Sequence, residues 1–516
     1  MDNVRSLLVT LPILIPLATA IGTLMLWREK TRKRAISLFG TSSLFVLGVL
    51  LLIMLANSES HVFAIQMGGW DAPVGITLVA DTFSAIMVTM TGLVSTAVMV
   101  YAIGNLNKDI EFFSFHPLFH ILLMGVVGAF LTGDVFNMYV WFEVMLISSF
   151  VLIVIGERRK QYIGGIKYVT INLLSSAIFL AALASLYGLV GTLNMAHIHD
   201  LLYDPSTATG IAAPYARNLA LTIAILLLVA FSIKAALVPF HFWLPASYHT
   251  PPVPVAAIFA GLLTKVGVYA IFRVYTLIFP LDIFPEIRTL LLVLASITIL
   301  VGMAGAISTD HIRRVLSFNL VSHIGFMVLG VAFFTEFALA GAILYIIHHI
   351  LVKTTLFLVS GMITNVQGTP SLRKMGGLYR QEPLLALLFF IPALSLSGIP
   401  PFSGFWPKLA LIRAGLSNPA TYVFVGVMLV GSVLTLYSMM KVWQFAFWRS
   451  TPEHEGETYH APLKISKPMW ASVIALVVLV MLLGLFANPI LSIAQDAAAG
   501  LLHPEIYLQA ILGGKG

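Results

Sequence analysis

The chain of 516 residues contains no cysteine. Disulfides, thiolate metal sites and thiolate-held clusters are therefore excluded. Charge is also scarce. Charged residues make up 10% of the chain, against roughly a quarter in a soluble domain. Hydrophobic residues make up 59%, and the mean hydropathy is +0.96. These values exclude a soluble globular protein, and membrane spans fill the length without a soluble domain. His241, His249 and the other histidines lack metal-ligand spacing. No phosphate-cradling glycine loop occurs, and no nucleophile stands beside a base, so neither a catalytic centre nor a cofactor is expected. The net charge of +7 does not point to nucleic acid, because the basic residues sit in short clusters between apolar runs, where topology explains them.

What is present is a series of apolar runs, about fourteen spans at roughly 20 residues per crossing. The first, about 6–27, follows the weakly basic MDNVR and precedes Arg28, Lys30, Arg32, Lys33 and Arg34, so it reads as a retained span rather than a signal peptide. The positive-inside bias puts that cluster in the cytoplasm and the N-terminus outside. Span two is about 35–56, and the polar segment after it, rich in Gly and β-branched residues, reads as an external hairpin. Spans three to five follow at about 79–104, 116–132 and 134–155, returning to the cytoplasm at Glu157, Arg158, Arg159 and Lys160. Spans six to eleven lie at about 163–190, 217–239, 253–276, 287–307, 317–334 and 338–362. Arg313, Arg314, Arg373 and Lys374 then fall on the cytoplasmic side. Spans twelve to fourteen are about 383–414, 421–449 and 469–490. The loop RSTPEHEGETYHAPLKISKP lies inside, and the C-terminus ends outside in a short interfacial helix.

The chain is organised around FSIKAALVPFHFWLPASYHTPPVPVAAIF, residues 231–259. Lys234 sits in an apolar run, and Pro239, Pro245, Pro251, Pro252 and Pro254 follow it. Proline lacks a backbone donor and clashes with the preceding turn, so the helix breaks soon after the charge. Broken backbone in a membrane is tolerated only where protein or a water-filled cavity surrounds it, and buried charge beside it marks an ion path. Five spans later LSLSGIPPFSGFWPKLALI, residues 394–412, repeats the pattern in kind. A five-helix unit repeated once must be inverted, because five is odd.

Titratable residues inside spans define the candidate site. Glu143 lies near the middle of span five, where an ionised carboxylate needs a partner, and Lys234 is the natural one. Lysine suits a proton relay better than arginine, which stays charged. Lys265 follows Pro254 by about 16 Å of helix, near the midplane. Lys408 follows the second break. His348, His349 and Lys353 form a group in span eleven, with His349 and Lys353 four apart on one face. His323, Thr264 and Asp134 are accessory candidates, Asp134 as an outer inlet. Ser175 and Ser176 could, like Thr264, line a water chain, but packing is the favoured reading for them, and Lys167 and Arg273, near span ends, are read as snorkelling.

KAALVPFHFWLPASYHTPPVPVAA, DHIRRVLSFNLVSHIGF, HHILVKTTLFLVSG and SGIPPFSGFWPKL resemble the core motifs of antiporter-like, proton-pumping subunits. These include membrane-arm subunits of complex I (NADH:quinone oxidoreductase) and the large subunits of Mrp-type cation/proton antiporters. Residues 167–198 and PPFSGFWPKL resemble the Mrp D subunit in particular. The resemblance implies an all-α polytopic fold of about fourteen helices, with two inverted five-helix repeats and helices seven and twelve interrupted. On this chain that gives a three-helix segment at 1–115, repeats at 116–276 and 277–449, and a C-terminal helix and tail at 450–516. It implies a switchable Glu143–Lys234 ion pair, Lys265 as central relay, the His348, His349 and Lys353 group as the link between halves, and Lys408 on the exit side. It further implies H+ and Na+ as cargo, subunits of the Mrp A, B, C, E, F and G types as partners, and a bacterial-type plasma membrane as location. The alternative it leaves open is a pump subunit of complex I.

Overall fold

Apolar runs in a bilayer must satisfy their own backbone hydrogen bonds, and helices do this within one segment. The structure, a computed structural model, describes residues 2–112, 114–204, 209–450 and 465–513. Most of the polar loop expected inside, 451–464, lies outside the described residues. Helices α1 (Asp2–Met25) and α2 (Lys30–Ala56) lead to an antiparallel hairpin of β1 (Val62–Gln66) and β2 (Thr77–Asp81), with Val62 opposite Asp81. The expected hairpin is thus present. Asp81 caps α3 (Thr82–Asn105), accepting from the Ser84 amide at 2.8 Å. Then come α4 (Lys108–Phe112), α5 (Phe115–Leu131), α6 (Val135–Val154), α7 (Arg159–Val190), α8 (Met195–Tyr203) and α9 (Pro214–Ala235). After the first break follow α10 (Trp243–Ser247), α11 (Val253–Ile258) and α12 (Thr264–Arg273), with π-turns at Phe259–Leu263 and Val274–Ile278 on either side of α12.

The second half runs through α13 (Pro285–Ser308), α14 (Ile312–Phe333), α15 (Glu336–Gln367), α16 (Leu378–Gln381), α17 (Pro383–Ser397), α18 (Phe405–Gly415) and α19 (Tyr422–Trp443). It closes with α20 (Lys467–Leu485), α21 (Ala487–Leu502) and α22 (Glu505–Leu512). Among the described residues twelve helical stretches are long and apolar enough to cross a membrane, and the shorter apolar α5 and α17 bring the total to fourteen. The expected twelfth span is two helices, α17 and α18, because Gly398 and the two prolines after it end the first. The C-terminal segment forms two helices rather than one.

Hydrogen bonds between loops show which helix ends share a face. Lys33 Nζ donates to the Glu111 carbonyl (2.8 Å), Arg313 Nη1 to the Pro251 carbonyl (2.8 Å), and Ser466 Oγ to the Gly104 carbonyl (3.3 Å). Asp310 accepts from Arg373 (2.5 Å) and lies 2.9 Å from Lys441 Nζ. The basic turns before α14 and after α15 therefore lie together, and the turn after α1 lies against α4. The hairpin lies at the other face, with Thr77 accepting from the Gly133 amide (2.9 Å) and from Asn194 Nδ2 (2.9 Å). At the centre, the apolar stretches of α15 and of the span containing α11 and α12 are buried.

Two polar ties lie outside that centre. On the basic face Glu111 is held by Arg34 through both carboxylate oxygens, with Lys30 Nζ at 3.4 Å and His116 Nε2 at 3.3 Å. Burial works to raise its pKa, but the hydrogen bonds and charges of His116 and Arg34 outweigh it and hold the carboxyl at about 2. On the hairpin face Arg273 corrects an expectation. It is only 4% exposed and does not snorkel. Its Nη2 donates to Asp81 Oδ2 (2.6 Å) and to Tyr269 Oη (2.9 Å), and Tyr269 Oη donates to the Phe130 carbonyl (2.7 Å). The cap of α3 supplies a carboxylate that makes burying the guanidinium possible. Lys167 is exposed, as expected.

A depressed carboxyl pKa contributes stability that is present above the unfolded value and lost as pH falls through the folded one. The difference in thermal stability between wild type and Glu111→Gln should therefore persist above about pH 4.5 and fade towards about pH 2. Melting curves across that window check it, and a difference independent of pH would refute the assignment. Arg273→Ala leaves Asp81 unpaired beneath the C-terminal helices and should cost about 3–5 kcal/mol in thermal unfolding of the purified protein.

Candidate functional site

The first break forms where α9 runs into Pro239. Ala236 takes a left-handed conformation (φ 62°), and the amides of Ala236 and Leu237 bond back to Ile233 and Ser232. Trp243 Nε1 also donates to the Ile233 carbonyl (3.0 Å), so an indole adds a second donor at the interrupted end of the helix. Lys234 sits in the last turn of α9, where a helix terminus favours positive charge. It is 5% exposed. Its Nζ donates to Ser176 Oγ (3.2 Å) and lies 5.6 Å from the centroid of the Phe142 ring.

Ser176 in turn donates to Glu143 Oε1. Among the described residues no salt bridge joins Glu143 to Lys234 directly. The expected direct pair is a three-membered chain, with a hydroxyl between carboxylate and ammonium. Ser175, one position earlier, donates to the Ala230 carbonyl (2.8 Å) and does pack α7 on α9. Packing, the favoured reading of both serines, therefore holds for Ser175, whereas Ser176 stands between the acid and the base. The available signal was an apolar helix carrying a hydroxyl opposite both a buried acid and a buried base.

Lys265 follows on α12 and is fully buried. Its Nζ donates to the Ala260 carbonyl, inside the π-turn Phe259–Leu263. A π-turn loosens the regular ladder, and such bulges recur at functional sites. Gly267 brings this helix onto the first break. A Cβ there would lie 2.7 Å from the Ala235 amide nitrogen, so only glycine allows the approach. Thr264, one residue before Lys265, has a buried hydroxyl with no partner among the described residues.

Helix α15 carries His348, His349 and Lys353, all fully buried. Lys353 Nζ donates to the Leu316 carbonyl of α14 (3.3 Å). The His349 ring lies 5.3 Å from that of His323 between centroids, and neither of its nitrogens has a partner among the described residues. Lys265 and Lys353 are both within electrostatic reach of it. His323 Nδ1 shares a hydrogen bond with Tyr345 Oη (2.5 Å). His348 Nδ1 shares one with Ser403 Oγ (2.9 Å), which shares another with Ser395 Oγ (2.7 Å). Tyr345, Ser395 and Ser403 were not singled out in the sequence. Ser403 stands inside PPFSGF, five residues before Lys408, the one cue that pointed to it.

Lys408 closes the series at the second break. Helix α17 ends at Gly398 with φ 86°, a conformation open to glycine at no steric cost. Lys408, on α18, reaches back, and its Nζ donates to the carbonyls of Leu396 (3.1 Å) and Ser397 (3.0 Å). It is 4% exposed and lies 5.2 Å from the Phe326 ring centroid. Lys234 sits before its break, whereas Lys408 sits after its own and caps the helix that ended there. Asp134 stands apart, capping α6 by accepting from the Asn137 amide (2.7 Å). Burial pushes its pKa up to about 6 despite that bond.

A family model described as NADH:quinone oxidoreductase/Mrp antiporter, transmembrane, matches residues 132–435. The chain belongs to this family. All ten candidate residues fall inside the matched segment, whereas α1 to α5 and α20 to α22 lie outside it. The D subunit of the Na(+)/H(+) antiporter of Alkalihalophilus pseudofirmus is 41% identical over 506 residues, covering 98% of this chain and 99% of that protein. Its counterpart in Bacillus subtilis is 36% identical over 505 residues, covering 98% and 99%. Among solved structures, a chain of the Mrp complex from Dietzia sp. DQ12-45-1b superposes with a TM-score of 0.88 at 33% identity, over 99% of this chain and 100% of that one. A chain of respiratory complex I from Thermus thermophilus gives 0.79 at 23% identity, over 96% and 99%, a likeness of fold alone.

Replacing Lys408 with methionine leaves two buried carbonyls at the end of α17 without their donor. Such losses cost about 1–3 kcal/mol per group. Lys408→Met should therefore lower the thermal unfolding temperature, and an unchanged melting curve would show that the ammonium does not hold the break together.

Proposed function

We propose that this chain is the proton-translocating subunit of a multisubunit Na+/H+ antiporter in a bacterial plasma membrane. The observation that carries the proposal is the line of exchangeable groups between two interrupted helices, from Glu143, Ser176 and Lys234 through Lys265, Lys353 and His349 to His348, Ser403 and Lys408. Several buried atoms along it, including Thr264 Oγ1, Thr354 Oγ1, His323 Nε2 and both nitrogens of His349, have no protein partner among the described residues. Buried polar atoms of this kind are ordinarily satisfied by water, and water between titratable groups conducts protons. Protons moving down their gradient along this line drive Na+ outward, each elementary charge being worth about 2.3 kcal/mol per 100 mV. His323, Thr264 and Asp134 are accessory to it, Asp134 as the inlet on the hairpin face. The two D-type relatives are Na+/H+ antiporter components, which favours this cargo over the redox-driven alternative.

The outer face of α6 supports the multisubunit part of the reading. Phe136 (45%), Val140 (38%), Ile147 (67%) and Val151 (36%) are exposed along one stripe, and Glu143, mid-helix, is only half-buried beside them. A carboxylate cannot be left against lipid, so a neighbouring membrane subunit covers this face. An even number of spans puts both termini on one side, and the basic turns put that side outside the cell. The segments 1–115, 116–276, 277–449 and 450–516 then act as a three-helix flank, two inverted repeats and a closing tail.

Glu143→Gln or Lys234→Ala should slow Na+-dependent proton flux in everted vesicles by roughly 10²-fold or more while the complex still assembles. Normal flux in either assembled variant would sink the mechanism. Flavin or iron–sulfur absorbance in the purified complex would move the chain to a redox pump.

A further inference from the structure

Resting on that reading, we propose that Ser176 is a relay that passes a proton between Lys234 and Glu143, so that the pair is broken by neutralising it rather than by pulling two charges apart. The hydroxyl is oriented for this. It accepts from Lys234 Nζ at 3.2 Å and donates to Glu143 Oε1. Its carrier helix is fixed beside it, since Ser175 anchors α7 to the Ala230 carbonyl. The Asn172 carbonyl, 3.0 Å from Ser176 Oγ, offers the hydroxyl a second acceptor and hence a second, interrupted orientation.

The transfer balances in one concerted step. Lys234 gives one N–H proton to Ser176 Oγ, Ser176 gives its own proton to Glu143, and the serine ends unchanged. Ammonium and carboxylate become amine and carboxylic acid, with no net charge moved out of the site. The cost avoided is the one that dominates in this setting. Two opposite charges separated in a low-dielectric interior lose an attraction that water would have screened, whereas two neutral groups can part freely. Neutral Glu143 can then turn towards the half-exposed face of α6, and neutral Lys234 is ready to take a proton from the side of α12, whose backbone Gly267 brings against that of Lys234 and Ala235. With the hydroxyl turned to Asn172 the step is blocked, so rotation of one side chain decides whether the two halves of the chain communicate.

The test uses the assembled complex in vesicles, with flux measured in H2O and in D2O. Ser176→Ala should slow proton flux by roughly 10²-fold, with assembly unchanged. Ser176→Thr, which keeps the hydroxyl, should restore flux to within a few-fold of wild type and retain the wild-type solvent isotope ratio. A merely structural serine would not require that hydroxyl. Wild-type flux and isotope ratio in Ser176→Ala, alongside a dead Glu143→Gln, would overturn the relay while leaving the proton-path reading intact. An active Glu143→Gln would instead remove that reading itself. Should the alanine variant fail to assemble, Ser176→Cys carries the same comparison: its weak hydrogen bonding predicts an intermediate rate, and a wild-type rate overturns the proposal.

Discussion

Four ammonium groups, those of Lys234, Lys265, Lys353 and Lys408, lie inside an apolar helix bundle, and each is held by an oxygen that is not a carboxylate. An unpaired charge in that interior costs many kcal/mol, so these oxygens decide where the lysines can sit. The oxygens are a serine hydroxyl, a carbonyl inside a π-turn, a carbonyl of α14, and two carbonyls at a helix end. In a regular helix nearly all carbonyls are taken by the ladder. Irregular backbone frees them, and two of the four lysines depend on it directly.

The same constraint explains the arrangement of the two halves. Ending α17 at Gly398 exposes carbonyls, and Lys408 from the next helix returns to cap them. At the end of α9 the Ile233 carbonyl accepts from both the Ala236 amide and Trp243 Nε1, while Lys234 bonds to Ser176. Between the breaks, α15 is buried along its span, and its histidines touch α14 through His323 and the second break through Ser403. Ammonium held by neutral oxygens, unlike ammonium clamped by carboxylates, can give up its proton without stranding a negative partner. This distinguishes the central line from the ties at Glu111 and Asp81, where carboxylates bind arginines that stay charged and hold helices together.

Much of this was legible in the chain. The spans follow from length and hydropathy, the hairpin from its composition, and both breaks from clustered prolines, although single prolines such as Pro12, Pro16 and Pro392 are carried inside helices. Each lysine and histidine of the line was visible as a titratable group in an apolar run. Partners were harder to read. Arg273 looked like a snorkelling residue because it stands near a span end, but Asp81, 192 positions away, buries it. Glu143 and Lys234 looked like a direct pair because charges of opposite sign attract, yet α7 threads a serine between them. Tyr345, Ser395 and Ser403 carry no charge, so nothing in their local composition set them apart from packing residues.

The sequence by itself determined how often the chain crosses the membrane, where two of its helices must fail, and which titratable groups are carried inside. These are local consequences of hydropathy, proline geometry and the cost of burying charge, readable within a turn or two of each residue. Only the tertiary structure decided which oxygen each ammonium meets. A hydrogen bond requires its atoms within about 3 Å, and that distance is set jointly by helices distant in sequence, such as α6, α7 and α9 around Ser176 or α15, α17 and α18 around Ser403.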